Sequence, residues 1–277
     1  MRGSAAFRTA IAPGGALAGP WVRNPLWTSA RAVPSLDLRF ADNKSLVDAT
    51  TGASLVTFTR ASTGTYVGSD GLIKTATTNE ARFDHNPTTG ESLGLLVEEA
   101  RTNLLLRSEE FDTTWARTSV SPFGVGSAVN VETAPNGTLT ADLIAVANGF
   151  NSGTGFVFQD ITKAATATTY TVTAFAKAQN WNAVTLHAQD VATNNNRATV
   201  TFSLATGVIT TAAAAAGTFS AASAITATPF INGWFRVNLT FTSSTETGLR
   251  VRLIPNNSTT VTGDGTSGIY LWGAQLE

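Results

Sequence analysis

His85 and His187 are the only two imidazoles in the 277-residue chain, and they limit the chemistry that can be asked of it. Two imidazoles cannot make a three-histidine zinc site, and no His-Glu-x-x-His helix is present. His85 follows Arg82-Phe83-Asp84 and precedes Asn86-Pro87, which reads as a turn, and no serine is assigned to an Asp–His relay. His187 lies in an alternating run in phase with Thr185 and Gln189, so a structural role on a sheet face is expected. Cysteine is absent, which removes disulfides, thiolate metal sites and a Cys nucleophile together.

Glycoside cleavage would need two carboxylates roughly 5–10 Å apart, one of them kept protonated by burial. Glu91, Glu98 and Glu99 cluster, while Asp142, Asp160 and Asp190 are scattered. Glu98-Glu99 followed by Arg101 reads as an ion-pair network, so no catalytic residue is assigned and the chain is expected not to be an enzyme. Thr262 to Gly268, and Asp190 with Asn194 to Asn196, offer hard oxygens of the kind calcium takes. Asp264-Gly265 is also a hairpin turn signal, and that reading is preferred. No metal or cofactor is expected.

Sugar recognition asks for aromatic rings flanked by amides, since a ring stacks on a sugar's CH face while its hydroxyls need donors and acceptors. Asn180-Trp181-Asn182 is the triplet that fits. A strand-end Trp folded into the core is the competing reading. Trp115, Trp234 and Trp272 lie in or beside alternating runs and are expected in the core.

The elements that would position these residues are strands. Tyr170 to Lys177, Val184 to Gln189, Thr199 to Leu204, Trp234 to Thr242, Leu249 to Leu253 and Ile269 to Trp272 all alternate with a period of two. Phe235, Val237, Leu239 and Phe241 then share one face, with Arg236, Asn238, Thr240 and Thr242 on the other. Asn136-Gly137, Asn148-Gly149, Asn232-Gly233 and Asp264-Gly265 supply turns. Residues 108–277 are therefore expected to form an all-β, antiparallel sandwich of the jelly-roll or concanavalin-like kind. Ala212 to Ala216 is too short to nucleate a helix and reads as a loop.

Upstream, residues 36–107 form a more charged, strand-rich linking region. Leu36 to Phe40 and, more loosely, Leu55 to Thr59 alternate as half-buried strands would, with turns at Thr51-Gly52, Asp70-Gly71 and Thr89-Gly90. The stretch from Leu93 to Leu106 fits a strand, or a strand entering a short helix. Residues 1–35 hold four Arg, no acid and four Pro, and are expected to be an extended arm. Arg8, Trp21, Arg23, Trp27 and Arg31 would dock it on a partner. Arg8 and the Pro13-Gly14-Gly15 break interrupt any apolar signal-peptide core.

The net charge of −1 argues against nucleic acid or an anionic membrane as a partner, and charged residues make up only 13% of the chain. No apolar run approaches the length of a membrane span.

Three phrases carry a resemblance. Phe58-Thr-Arg-Ala-Ser-Thr-Gly-Thr-Tyr-Val67, Asn79-Glu-Ala-Arg-Phe-Asp-His-Asn-Pro-Thr-Thr-Gly-Glu91 and Gly94-Leu-Leu-Val-Glu-Glu-Ala-Arg-Thr-Asn-Leu104 resemble a block found in bacteriophage structural proteins. Downstream, Phe202-Ser-Leu-Ala-Thr-Gly207, Asn232-Gly-Trp-Phe-Arg-Val237 and Gly268-Ile-Tyr-Leu-Trp-Gly-Ala-Gln-Leu-Glu277 are similar to the carbohydrate-binding-module-like sandwich that follows it. The resemblance covers roughly residues 36–277 and implies a virion protein of the tail-fibre or head-surface type. Such relatives often continue past the final phrase, so no further C-terminal domain is expected here.

Three expectations follow. A short tail fibre or spike would attach to other virion proteins through residues 1–35 and turn its sandwich toward host surface polysaccharide, as a homotrimer by analogy with fibres. A capsid decoration or cement protein would use the same arm to bridge shell subunits. A secreted, non-catalytic carbohydrate-binding module is the third.

Overall fold

The computed structural model describes residues 35–277, apart from the side chains at 212–213 and 221–224. Alternation in the sequence becomes alternation in space. The strands are β1 (Gly64–Val67), β2 (Ile73–Ala76), β3 (Phe83–His85), β4 (Ser92–Leu95), β5 (Ala116–Thr118), β6 (Ala128–Thr133), β7 (Leu139–Ala145) and β8 (Phe156–Thr162). They continue as β9 (Thr169–Ala178), β10 (Ala183–Asp190), β11 (Arg197–Ser203), β12 (Ile209–Ala216), β13 (Ser220–Pro229), β14 (Trp234–Thr242), β15 (Gly248–Asn256) and β16 (Gly268–Leu276). No α-helix occurs among the described residues. None of their helices is long and apolar enough to cross a membrane.

Two six-stranded sheets face each other. One runs β12-β11-β10-β15-β8-β5 and the other β13-β14-β9-β16-β7-β6, with antiparallel neighbours throughout. This is the antiparallel sandwich the periodicity requires. Between the sheets, Val184, Leu186 and Ala188 of β10 meet Val172, Ala174 and Ala176 of β9 in one apolar core with Val237, Leu239 and Phe241 of β14. Residues before 108 belong to it too: Leu105 is buried in this core, and Asn103 accepts the Leu276 N–H at 2.9 Å.

Asn232-Gly233 makes the β13–β14 turn with both residues at positive φ, 60° and 77°, which the right-handed twist of a tight hairpin favours. In β16, a bulge between Trp272 and Gln275 shifts the phase of the strand. Gly273, at φ 62°, sits in that bulge. Ile269 and Leu271 point inward before it, Ala274 and Leu276 after it. Without the extra residue, Gly273 and Gln275 would take the core positions.

Lys163 closes one end of the sandwich. Its Nζ donates to the carbonyls of Ala164, Thr166, Ser244 and Glu246 at 2.8–3.0 Å and lies 3.5 Å from the Glu246 carboxylate. A buried ammonium needs such a full set of acceptors, because each missing one leaves a desolvated charge. The loops after β8 and β14 are thereby fastened to each other.

Three expectations are corrected. Ala212 to Ala216 is not a loop: it lies in β12, paired with β11, because an edge strand demands only a backbone ladder from small residues. Leu36 to Phe40 forms no strand beyond an isolated bridge at Leu38, and Leu55 to Thr59 forms neither strand nor bridge. There Asp48 takes over the local hydrogen bonding, accepting from Asp37 N–H at 2.8 Å and from the hydroxyls of Thr50 and Thr51. Those bonds hold its carboxyl well below the usual carboxylate range. Leu36 and Leu55 stay exposed, since no layer packs over them. Beyond β4, the stretch to Leu106 is neither strand nor helix.

Candidate functional site

A sandwich has two outer faces, and this one covers part of one of them. On the β9–β14–β16 side, Phe175, Phe230, Trp234 and Trp272 form a second apolar cluster with Val67 and Ile73 of the β1–β2 hairpin against it. Trp234 Nε1 donates to Thr133 O at 2.9 Å and Trp272 Nε1 to Thr140 Oγ1 at 3.1 Å. Those rings are occupied with packing.

The other outer face, on β8, β10, β11 and β15, is built differently. Register places Thr185 beside Thr201 and Ile254, His187 beside Thr199 and Arg252, and Gln189 beside Arg197 and Arg250. Arg252 pairs with Phe158, and Arg250 with Asp160. The side chains then interleave along β8 and β15. Asp160 holds Arg250 through two bonds of 2.6 Å, and Arg250 stacks 4.3 Å over the Phe158 ring. Arg252 stacks 4.4 Å over Phe156, and the two Phe rings are 5.7 Å apart. Guanidinium over a ring face is attractive and fixes its plane. Neither Phe is buried.

Beside this ladder stands a row of hydrogen-bonding groups. Thr185 Oγ1 is 2.8 Å from Thr201 Oγ1 and takes an N–H from Asn256 at 3.1 Å, while His187 Nε2 lies 3.2 Å from Gln189 Oε1. Burial first, then the nearby Arg252 charge, pushes the His187 imidazolium down to about 4. His187 is therefore a neutral ring at pH 7, able to donate at one nitrogen and accept at the other. Thr185, Thr201 and Gln189 are buried and bonded to their neighbours. The groups left half-exposed here are the Phe156 and Phe158 rings, the Arg250 and Arg252 guanidinium groups, the His187 imidazole and the Asn256 amide, a set suited to a polyhydroxylated ligand.

The triplet singled out from sequence does not form this surface. Trp181 is 4% exposed and lies in the core, so its ring is unavailable for stacking on a sugar. Asn180 donates to Ser267 Oγ at 3.3 Å and Asn182 exchanges bonds with Ser258, pinning two loops. The amides flank the Trp because a buried strand-end ring needs its chain ends tied. Phe156, Phe158, Arg250 and Arg252 were missed. The alternation of Arg250 and Arg252 was visible, but the strand opposite them could not be read from spacing. Trp115, Trp234 and Trp272 are buried as expected. Arg8, Trp21, Arg23, Trp27 and Arg31 lie outside the described residues.

Three other clusters of reactive side chains have structural explanations. Gly90-Glu91-Ser92-Leu93-Gly94 has nucleophile-elbow spacing, a match sequence reasoning missed, and β4 pairs Ser92 with His85. His85, at 4% exposure, ends β3 where a turn was expected, with Nδ1 2.9 Å from Val67 O. Asp84 accepts the Val67 N–H, and neither His85 Nε2 nor Ser92 Oγ has a partner or contact with solvent. No relay is assembled and no substrate reaches it.

A cavity of about 310 Å³ is lined by Glu109, Glu110, Asp112 and Asp142. Burial pushes the Asp142 carboxyl up to about 6 against the bonds it accepts from Asn130 and Phe111 N–H. At 1% exposure it holds two loops. Asp264 accepts four bonds from Thr266 and Ser267, the geometry of a turn. No group of three or more His, Asp or Glu that could hold a metal ion occurs among the described residues.

No protein-family model and no curated protein matches the chain. Among solved structures it is similar to the enzymatically active domain of bacteriophage CBA120 tailspike protein 4, with a TM-score of 0.37 and 11% identity over 63% of this chain and 21% of that one. It is also similar to TmCBM61 solved with β-1,4-galactotriose, with a TM-score of 0.37 and 12% identity over 64% of this chain and 99% of that one. A CBM4 structure gives a TM-score of 0.28 and 13% identity over 50% of this chain and 70% of that one. The chain thus spans about a fifth of the tailspike domain. At these scores ligand and activity do not transfer; the class defined by the strands themselves is an antiparallel β-sandwich.

Proposed function

We propose that the protein is a non-enzymatic, glycan-binding structural component of a bacteriophage particle. The observation carrying the glycan-binding part is the ladder Asp160–Arg250–Phe158–Arg252–Phe156 on the outer face of β8 and β15, beside the half-buried His187 and Asn256. Stacked planar groups meet the CH faces of sugars, and the neighbouring Asn256 amide and His187 imidazole meet their hydroxyls. Part of the opposite face is covered by its own apolar cluster.

The virion assignment is supported by the phrases at residues 58–67, 79–91 and 94–104, which resemble those of phage structural proteins. In this reading residues 1–35 attach the chain to other virion proteins, and homotrimeric copies present the sandwich to host polysaccharide. Several weak sites on one particle raise the effective concentration and give firm attachment.

Gold-labelled antibody microscopy on intact phage tests the placement. Label at the tail is the expected result, label over the head would make this a decoration protein, and phage without label would overturn the virion reading. Retention of the purified protein in gels containing host polysaccharide tests the binding.

A further inference from the structure

We propose that the ligand of the β8–β15 outer face is an anionic polysaccharide, whose acidic groups pair with Arg252. This rests on the glycan-binding reading of the same face and goes on to name the class of sugar. Charge on that face is lopsided. Arg197 on β11 and Arg250 and Arg252 on β15 flank β10, with Asp160 on β8 as the one carboxylate placed among them by the registers of the described strands. The face therefore carries a net charge of about +2 in a chain whose net charge is −1.

The three arginines are not equivalent. Both oxygens of Asp160 are taken by Arg250, through its Nε and one Nη. Arg197 donates from Nη1 to Asn194 O at 2.9 Å. Arg252 has no carboxylate within ion-pair reach among the described residues, and its Nε is shut from solvent without a hydrogen bond. A partly desolvated guanidinium without an acid is costly unless an anion completes it.

Its geometry is already set for one. The stack on Phe156 at 4.4 Å holds the guanidinium plane, and a planar fork of N–H donors matches a carboxylate or sulfate in two parallel bonds. His187 beside it is neutral at pH 7 and adds hydrogen-bonding capacity without charge. A ligand combining a carboxylate or sulfate with ring CH faces and hydroxyls matches the Arg252 guanidinium and the half-buried rings beside it. That is the chemistry of uronate or sulfated polysaccharides.

The test uses the full chain in affinity electrophoresis, in gels containing polygalacturonate, dextran sulfate, neutral galactan or no polymer, with single-stranded DNA as a competing polyanion. Arg252→Gln and Arg252→Lys are compared with wild type, their melting temperatures recorded alongside. Wild type is expected to be retarded by polygalacturonate or dextran sulfate, not by galactan, and DNA should not displace it. Arg252→Gln should weaken retention by about 10-fold or more, with Lys restoring part of it. Neutral galactan retarding wild type and Arg252→Gln alike would overturn the charge assignment while leaving glycan binding intact. Displacement by DNA with no effect of Arg252→Gln would reduce the contact to unspecific polyelectrolyte attraction and overturn it too. Retention by no polymer at all would remove the glycan-binding reading as well.

Discussion

The Arg252 guanidinium carbon lies 4.4 Å from the centroid of the Phe156 ring, and its Nε makes no hydrogen bond. One ring therefore holds a cation that makes no ion pair among the described residues. If that stack organises the face, the two residues must be energetically coupled. A double-mutant cycle with Arg252→Gln and Phe156→Leu, read by denaturant unfolding, is expected to give a coupling of about 0.5–1 kcal/mol. A coupling of zero would mean that the rings and guanidiniums merely lie side by side.

Lys163 offers a sharper stability test. Replacing it by Met leaves four carbonyls and the buried Glu246 carboxylate without their cation. The expected cost is about 3–5 kcal/mol, a fall in melting temperature on the order of 10 °C for a chain of this size. Circular dichroism on heating measures it, and a Met variant that melts with wild type would show the ammonium to be dispensable.

Two buried groups oppose each other in pH dependence. The folded His187 resists protonation down to about 4, against 6.5 when unfolded, so its share of stability is lost as pH falls through that window. The folded Asp142 keeps its proton up to about 6, against 3.8 unfolded, so its share is lost as pH rises from about 4 to 6. Glu109, also raised by burial, adds to the Asp142 side. Each large shift corresponds to about 3 kcal/mol at most. Stability of wild type is expected to vary little between pH 4 and 6 (roughly, by this cancellation). His187→Gln should then lose stability as pH rises through that window, and Asp142→Asn should gain it. Parallel slopes in the two variants would refute the opposition.

The bulge in β16 can be tested by filling Gly273. A Cβ there would sit 3.1 Å from a Phe175 ring carbon on a backbone with φ 62°. Gly273→Ala is expected to cost about 1–2 kcal/mol by equilibrium unfolding, with the fold retained. A neutral result would mean that the strand re-registers at no cost.

Much of this architecture is legible in the chain and part is not. Runs such as Trp234 to Thr242 announce their two faces, because a period of two has one structural meaning when apolar and polar residues alternate cleanly. Asn232-Gly233 announces its turn for the same local reason. The run Ala212 to Ala216 fails because alanine carries no alternation, so its place in β12 depends on a partner strand far away in sequence. The site fails in the same way. Arg252 and Phe156 are nearly a hundred positions apart, and only the β8–β15 register joins them. Asn180-Trp181-Asn182 looks like a sugar site locally, yet the fold turns its ring inward.

That contrast is itself testable. Trp181→Ala is expected to destabilise the protein by about 3–5 kcal/mol, as for a large aromatic removed from a core. Asn182→Ala should leave glycan retention unchanged, since its amide bonds Ser258. Loss of retention without loss of stability at either position would return the triplet to the binding surface.

The most direct test of glycan binding on the β8–β15 outer face is isothermal titration of the full chain with host surface polysaccharide, comparing wild type with Phe158→Ala and Arg236→Ala. Phe158 lies in the ladder, whereas Arg236 lies on the opposite sheet. Saturable binding by wild type and Arg236→Ala, lost in a folded Phe158→Ala, is the expected result. Equal binding by all three, or binding lost only with Arg236→Ala, would contradict the assignment of this face.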